Sequence, residues 1–334
     1  MKIAVIAMTG GGRKLAARLV PKLPGAVLES PGPGIAATMA ALWREYDGFI
    51  MIMAAGIVVR AMAPLLGDKR SDPAVVVVDE RGRFAVSLLS GHLGGGNELA
   101  RRVAAILGGR AVITTASDVL GLVPLDLWAR SQDLVPRDGK TMTRASALLV
   151  NNGALRLYAE VPVAALPDGL VAVDRPEEAD LVISSRTDWP ANTLVFHPRE
   201  LVVGVGCNRG TPVHEFAAAL DEVLAARSLS PLAVRNLASI DLKRDEKGLR
   251  EFAGGHGWEI VFYTKEELNR VAGITVSPAA LKATGARGVA EPAALLSART
   301  DILLMEKQKW PNLTLALARA KFMLSALVRE DCNT

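Results

Sequence analysis

The run Ser90-Gly91-His92-Leu93-Gly94-Gly95-Gly96-Asn97 sets a histidine and a serine among glycines, between an apolar stretch and an amphipathic one. An imidazole titrates close to neutral pH, so His92 is a candidate general acid or base. Glycines permit tight turns and close approach of a ligand, and the free N–H groups that open a helix attract anions. Ser90, Gly91, Gly94, Gly95, Gly96 and Asn97 are therefore candidates for holding a carboxylate or phosphate. The spacing is neither GxGxxG nor a P-loop, which leaves a nucleotide site unsupported. GxSxG is absent too, so a Ser90 nucleophile has little behind it. The plain alternative is a glycine-rich turn under a helix, with His92 capping it or buried in the core.

Two further loops share the character of a strand end feeding a helix. Thr9-Gly10-Gly11-Gly12-Arg13 offers the same N–H donors, with Arg13 able to pair with a carboxylate; a plain turn is the alternative. Gly204-Val205-Gly206-Cys207-Asn208-Arg209-Gly210-Thr211 precedes a helix that Thr211 caps and Pro212 starts. Near it in sequence are Ser239, Asp241 and Lys243, and further on Glu291, candidates for acid–base work or ligand anchoring; helix caps and surface ion pairs are the alternative. Cys207 at a helix start would be a lowered-pKa thiol, but no base partner is evident. Gly56-Ile57-Val58-Val59-Arg60 places an arginine in an apolar helix, where burial would demand a partner such as Asp68, Asp72 or a ligand. Lys69 and Arg70 read as part of a solvated loop.

Elements that place these residues follow from periodicity. Apolar β-rich runs at residues 2–7, 48–53, 75–78, 84–89 and 111–115 alternate with helical patterns at 13–20, 57–66 and 98–107. The fold expected is α/β: an N-terminal open, mainly parallel sheet with helices on both faces over residues 1–120. Frequent prolines and short strands at 154–160, 170–173, 181–184 and 193–196 mark a small middle α/β domain or connector, 121–198. A second α/β domain, 199–334, has strands at 201–205, 233–240, 259–263 and 302–305 and helices at 211–226, 247–253, 265–272 and 313–328.

The chain has 334 residues, of which 50% are hydrophobic, 22% charged and only 4% aromatic, which excludes a disordered chain and predicts a core of Ala, Val, Leu and Ile. The longest uncharged apolar run, residues 49–59, stops at Arg60, short of the roughly 20 residues of a membrane span. No signal-peptide pattern is read at the start, and a cytoplasmic location with no membrane partner is expected. Cys207 and Cys332 form no CxxC or Cys/His spacing, so neither a disulfide nor a structural zinc is expected. A net charge of +4 favours an anionic partner. Without a Lys/Arg block or base-stacking aromatics, that partner is expected to be a small or medium-sized ligand, not nucleic acid.

Several ordered strings resemble one family. They are Gly56-Ile57-Val58-Val59-Arg60-Ala61-Met62-Ala63-Pro64-Leu65-Leu66, Asp72-Pro73-Ala74-Val75-Val76-Val77-Val78-Asp79-Glu80, Ser87-Leu88-Leu89-Ser90-Gly91-His92, Asn97-Glu98-Leu99-Ala100 and Thr114-Thr115-Ala116-Ser117-Asp118, then Gly204 to Thr211, Ala238-Ser239-Ile240-Asp241-Leu242-Lys243 and Val289-Ala290-Glu291-Pro292. Together they resemble the CbiG family of anaerobic cobalamin biosynthesis, over nearly the whole chain and most weakly at 125–195. The resemblance implies a cobalt-precorrin-5A hydrolase that opens a δ-lactone and releases acetaldehyde. Cobalt is then carried by the tetrapyrrole substrate, no protein-bound cofactor or metal is expected, and neighbouring pathway enzymes are candidate partners. Under this reading His92 is the first choice of base, the N–H groups of residues 94–97 form an oxyanion cradle for the lactone carbonyl, and Asp241 or Glu291 assists proton transfer. The substrate-binding set is Thr9, Gly10, Gly11, Arg13, Gly56, Arg60, Ser90, Gly91, Gly94 to Asn97, Gly206, Cys207, Asn208, Arg209, Gly210, Thr211, Ser239 and Lys243. Two other readings remain: a tetrapyrrole binder or carrier without catalysis, and, from the fold pattern alone, a nucleotide-binding Rossmann enzyme.

Overall fold

The computed structural model describes residues 1–68, 71–92 and 94–326. Lys69, Arg70, Leu93, Cys332 and the end of the helix expected at 313–328 lie outside the described residues. The chain forms two compact units, Met1–Leu127 and Trp128–Thr334.

In the first unit, β1 (Ile3–Ala7), β2 (Ala26–Glu29), β3 (Gly48–Ile52), β4 (Ala74–Val78), β5 (Phe84–Leu89) and β6 (Arg110–Val112) form one sheet in the order β2-β1-β3-β4-β5-β6. All neighbouring pairs are parallel except β4 with β5. β1, β3 and β4 are wholly buried, so each needs apolar side chains on both faces. Ile3, Val5, Ile50, Ile52, Val76 and Val78 point to the layer of α1 (Gly10–Leu19), and Ala4, Ile6, Phe49, Met51, Val75 and Val77 to that of α2 (Ile35–Leu42) and α3 (Ala55–Met62). On the α1 side lies also α4 (Gly96–Leu107), held by Leu99, Ala100, Val103 and Ala104. Each such Val or Ile, fully buried, is worth about 1.5–3 kcal/mol. Two short helices follow, α5 (Ala116–Leu120) and α6 (Leu125–Ser131), the latter crossing the division at Leu127.

The second unit carries two sheets. The first contains β7 (Leu134–Pro136), β8 (Leu155–Ala159), β9 (Leu170–Ala172), β10 (Leu181–Ile183) and β11 (Leu194–Pro198), in the order β7-β11-β10-β8-β9 and parallel apart from β7. α7 (Gly139–Asn152), capped by Asp138, buries Ala145 and Leu149. The last sheet joins β12 (Leu201–Cys207), β13 (Val234–Ile240), β14 (Glu259–Tyr263), β15 (Leu303–Lys309) and β16 (Leu313–Arg319) in the order β14-β13-β12-β16-β15. β12, β13 and β14 are parallel; β16 runs antiparallel to both β12 and β15. α8 (Val213–Ala225) and α9 (Lys247–His256) cover one face, while α10 (Lys265–Asn269) and α12 (Ala290–Ala298) pack on the other, with α11 (Pro278–Thr284) preceding α12.

One expected helix is a strand. Residues 313–319 form β16, not the start of a helix, because their period is two: Leu313, Leu315 and Leu317 enter the α8–α9 core, and Ala316 and Ala318 the α12 core. Among the described residues no helix is long and apolar enough to cross a membrane.

Candidate functional site

His92 leaves the sheet just past β5, where the chain turns sharply into α4. Ser90 is held at φ 53° and Gly95 at φ 77°, the left-handed region that glycine enters without strain. Gly91 is also constrained, since a Cβ there would lie 2.7 Å from Asn97 Oδ1. The turn closes on itself: the Gly95 N–H donates to the His92 carbonyl (2.9 Å), Gly96 N–H to Ser90 (3.0 Å) and Asn97 N–H to Gly91 (2.9 Å). The oxyanion cradle expected here is thus not available from residues 95–97, because those donors are spent on the loop's own carbonyls. The Ser90 hydroxyl donates to the Asp72 carbonyl at 2.8 Å.

The imidazole stands between two carboxylates. Nε2 is 2.8 Å from Asp118 Oδ2, and Nδ1 is 3.5 Å from Asp126 Oδ1, with side chains only 17%, 11% and 23% exposed for His92, Asp118 and Asp126. Asp118 at the first turn of α5 also accepts from Asn97 Nδ2 at 2.9 Å and pairs with Arg101. Ser117 Oγ lies 3.3 Å from Nε2. Asp126 and Asp118 hold the His92 pKa above its ordinary value against burial, which acts to lower it. The 2.8 Å contact to Asp118 is the well-formed hydrogen bond, and 3.5 Å to Asp126 is an ion-pair distance. Burial alone would raise both carboxyls; the bonds from His92, joined at Asp118 by Arg101, bring them below the ordinary range. The cluster is a proton-holding centre with both ring nitrogens engaged.

At the start of α1 the predicted anion loop is occupied from within. Thr9 Oγ accepts from Gly12 N–H at 2.9 Å and donates to the Glu80 carboxylate at 2.6 Å, and a Cβ on Gly11 would collide with that carboxylate. The crevice beside it, about 640 Å³ at the carboxyl ends of β1, β3 and β4, is walled by Met8, Met53, Ile57 and Phe84, and its charged lining residues are Asp79 and Glu80. Gly10 is open, and Arg13 and Arg60 are exposed. Arg60 needs no buried carboxylate: its guanidinium donates to the Gly56 carbonyl at 3.0 Å.

A different site forms at the carboxyl ends of β12 and β13. A cleft of about 200 Å³ is lined by Gly206, Cys207, Asn208 and Lys243 from the expected set, and by Lys307, Lys309, Trp310 and Thr314 from the β15–β16 hairpin. Among the described residues no Asp or Glu lines it. Two buried carboxylates stand behind its lysines: Glu246 Oε2 is 3.9 Å from Lys243 Nζ, and Glu291 Oε2 is 3.2 Å from Lys307 Nζ. Glu246 also accepts from the Gly210 N–H at 2.8 Å, so this loop too is satisfied by the protein's own carboxylate. Burial pushes the Cys207 thiol up to about 11 despite the opposing charge of Lys243, so it is a neutral thiol at pH 7.

The remaining expected residues take other positions. Ser239 is fully buried and donates to the Val205 carbonyl at 2.7 Å. Thr211 donates to the Asn208 carbonyl at 2.9 Å, and exposed Arg209 pairs with Asp245 at 3.2 Å. Asp241 opens a single turn after β13 and is half-buried. His92 belongs to the first unit, Asp241 and Glu291 to the second. Sequence reading missed Asp126 as a partner of His92, because nothing local ties the two, and missed Lys307 and Lys309, which reach the cleft through strand pairing.

Two family models match: cobalamin synthesis G N-terminal over residues 37–118 and cobalamin synthesis G C-terminus over 201–318. A cobalt-precorrin-5A hydrolase of Priestia megaterium is 39% identical over 300 residues, covering 84% of this chain and 80% of that protein. A protein of the same name from Salmonella typhimurium is 35% identical over 326 residues, covering 90% and 93%. Protein CobE of a Sinorhizobium species is 34% identical over 121 residues, 35% of this chain and 79% of that protein.

Proposed function

The chain belongs to the CbiG family, and from that membership we propose that it is a cobalt-precorrin-5A hydrolase, opening the substrate's δ-lactone and releasing acetaldehyde. The observation that carries the reading is 35% identity to a protein of that name over 90% of this chain and 93% of the other, which takes in both units.

In the first step water adds to the lactone carbonyl and the acyl C–O bond breaks, leaving a carboxylate and a secondary alcohol. In the second the hydroxyl loses its proton, the bond from the carbinol carbon to the ring breaks, and its electron pair passes to the macrocycle as acetaldehyde leaves. Both steps require a group that takes a proton from oxygen. His92 fits that task, since its two carboxylate neighbours make it a stronger base than a free imidazole. It acts only in its neutral form, with one ring nitrogen released toward the water. Cobalt enters as part of the substrate.

The test is anaerobic incubation of the pure protein with cobalt-precorrin-5A, trapping volatile aldehyde and following the tetrapyrrole by mass. One acetaldehyde per ring-opened product is expected, and His92→Ala should lower turnover by about 10² or more. Binding without aldehyde would overturn the hydrolase reading; near-normal turnover in the variant would remove His92 from the role of base.

A further inference from the structure

We propose that the cleft of the second unit is a polycarboxylate-recognition site, in which Lys243, Lys307 and Lys309 take carboxylates on the rim of a tetrapyrrole while an apolar floor takes the edge of the ring between them. The proposal rests on the reading of the chain as an enzyme of an acidic tetrapyrrole, and it assigns that ligand's side chains to named residues.

Charge sign separates this cleft from the crevice of the first unit. The crevice of the first unit has Asp79 and Glu80 as its charged lining residues, so a polyanion entering it meets repulsion. The cleft of the second unit has three lysines and no acid on its wall. Its floor is apolar, with Ile240, Val289 and Leu313, and its volume of about 200 Å³ receives an edge of a macrocycle with its acid arms and leaves the rest of the ring outside. Lysines suit a ligand with several unequal acid arms, because a flexible ammonium is not bound to one geometry.

Lys307 is held ready. Lys307 Nζ is fixed by Glu291 at 3.2 Å and the Thr275 carbonyl at 3.2 Å, and the Lys307 backbone N–H donates to Glu291 at 3.1 Å. Glu291 is 8% exposed and Glu246 4% exposed. Glu291 orients Lys307 by a hydrogen bond, Glu246 stands at an ion-pair distance of 3.9 Å from Lys243, and neither carboxylate lines the cleft. An ammonium has three donors, so Lys307 keeps one for a ligand after these two contacts. A purely structural pair would anchor β15 to α12 and would leave exposed Lys309 without influence on binding.

The experiment is fluorescence titration of the full-length protein with octacarboxylate uroporphyrin and tetracarboxylate coproporphyrin. Saturable binding is expected, tighter for uroporphyrin and weakened by salt. Lys309→Glu and Lys243→Gln should each weaken uroporphyrin about tenfold, the loss of one charge-assisted hydrogen bond. Lys247→Glu, at an exposed position outside the cleft, should leave it unchanged. Lys309→Glu is the decisive variant, because an exposed side chain can be reversed without unfolding the protein. No binding, or equal binding in the Lys309 and Lys247 variants, would overturn the proposal. The aldehyde assay is separate: lysine-dependent binding with no acetaldehyde would sink the hydrolase reading and leave this site standing, whereas turnover with an unchanged KM in Lys309→Glu would sink the site alone.

Discussion

His92 links stability and activity through one proton. Its pKa is raised in the folded state, so the stabilisation it contributes is fully present below about pH 6.5 and is lost as pH rises through the higher folded value. Asp118 and Asp126 are lowered, so theirs is present above about pH 4 and lost as pH falls through the folded values. The three together stabilise most between those ranges, near pH 5–6. Thermal unfolding of His92→Ala against the native protein should show its largest deficit there and a shrinking one as pH rises through the folded value of His92. A base must be neutral, so kcat/KM should rise over the interval in which that stability declines. A deficit independent of pH would mean that the imidazole is uncharged in the fold. The histidine itself was legible from its place among glycines at a strand end; its partners were not, since Asp118 stands 26 positions away and only folding brings it within 2.8 Å.

Among the elements, legibility followed burial. β1, β3 and β4 are covered on both faces and read as continuous apolar runs, which is why the parallel sheet could be anticipated. β2 has a half-exposed pattern, and α2 is too uniformly apolar and alanine-rich to show a face, so neither stood out. β16 was misread because alternating Leu and Ala carry high helix propensity although their period is two. That same alanine content has a packing purpose: α12 lies so close to β12 that a Cβ on Gly204 would strike the Ala290 carbonyl. Gly204→Ala should therefore destabilise the second unit by about 1–3 kcal/mol, the usual cost of overpacking, instead of stabilising it by restricting the unfolded chain. Urea unfolding read by tryptophan fluorescence checks this, and an unchanged midpoint would mean that α12 can lift away freely.

For the molecule as a whole, a net charge of +4 says only that anions are favoured. The structure divides that preference unevenly, with acids on the crevice of one unit and lysines on the cleft of the other. The strand-to-helix loops read as anion sockets are the place where the sequence misleads most. Glu80 occupies one, Glu246 takes a donor of another, and the third turns its N–H groups onto its own carbonyls. A carboxylate tethered by the chain beside its socket is present at an effective concentration of about millimolar or more, and it does not diffuse away. Inorganic phosphate at millimolar concentration should accordingly leave the melting temperature of the native protein unchanged; a marked rise would show that a socket is open. Two of these loops thus carry their own resident anions and the third is closed on itself, which makes the protein indifferent to the commonest free anions of its surroundings and reserves its response for a ligand with many acids spread over one large ring.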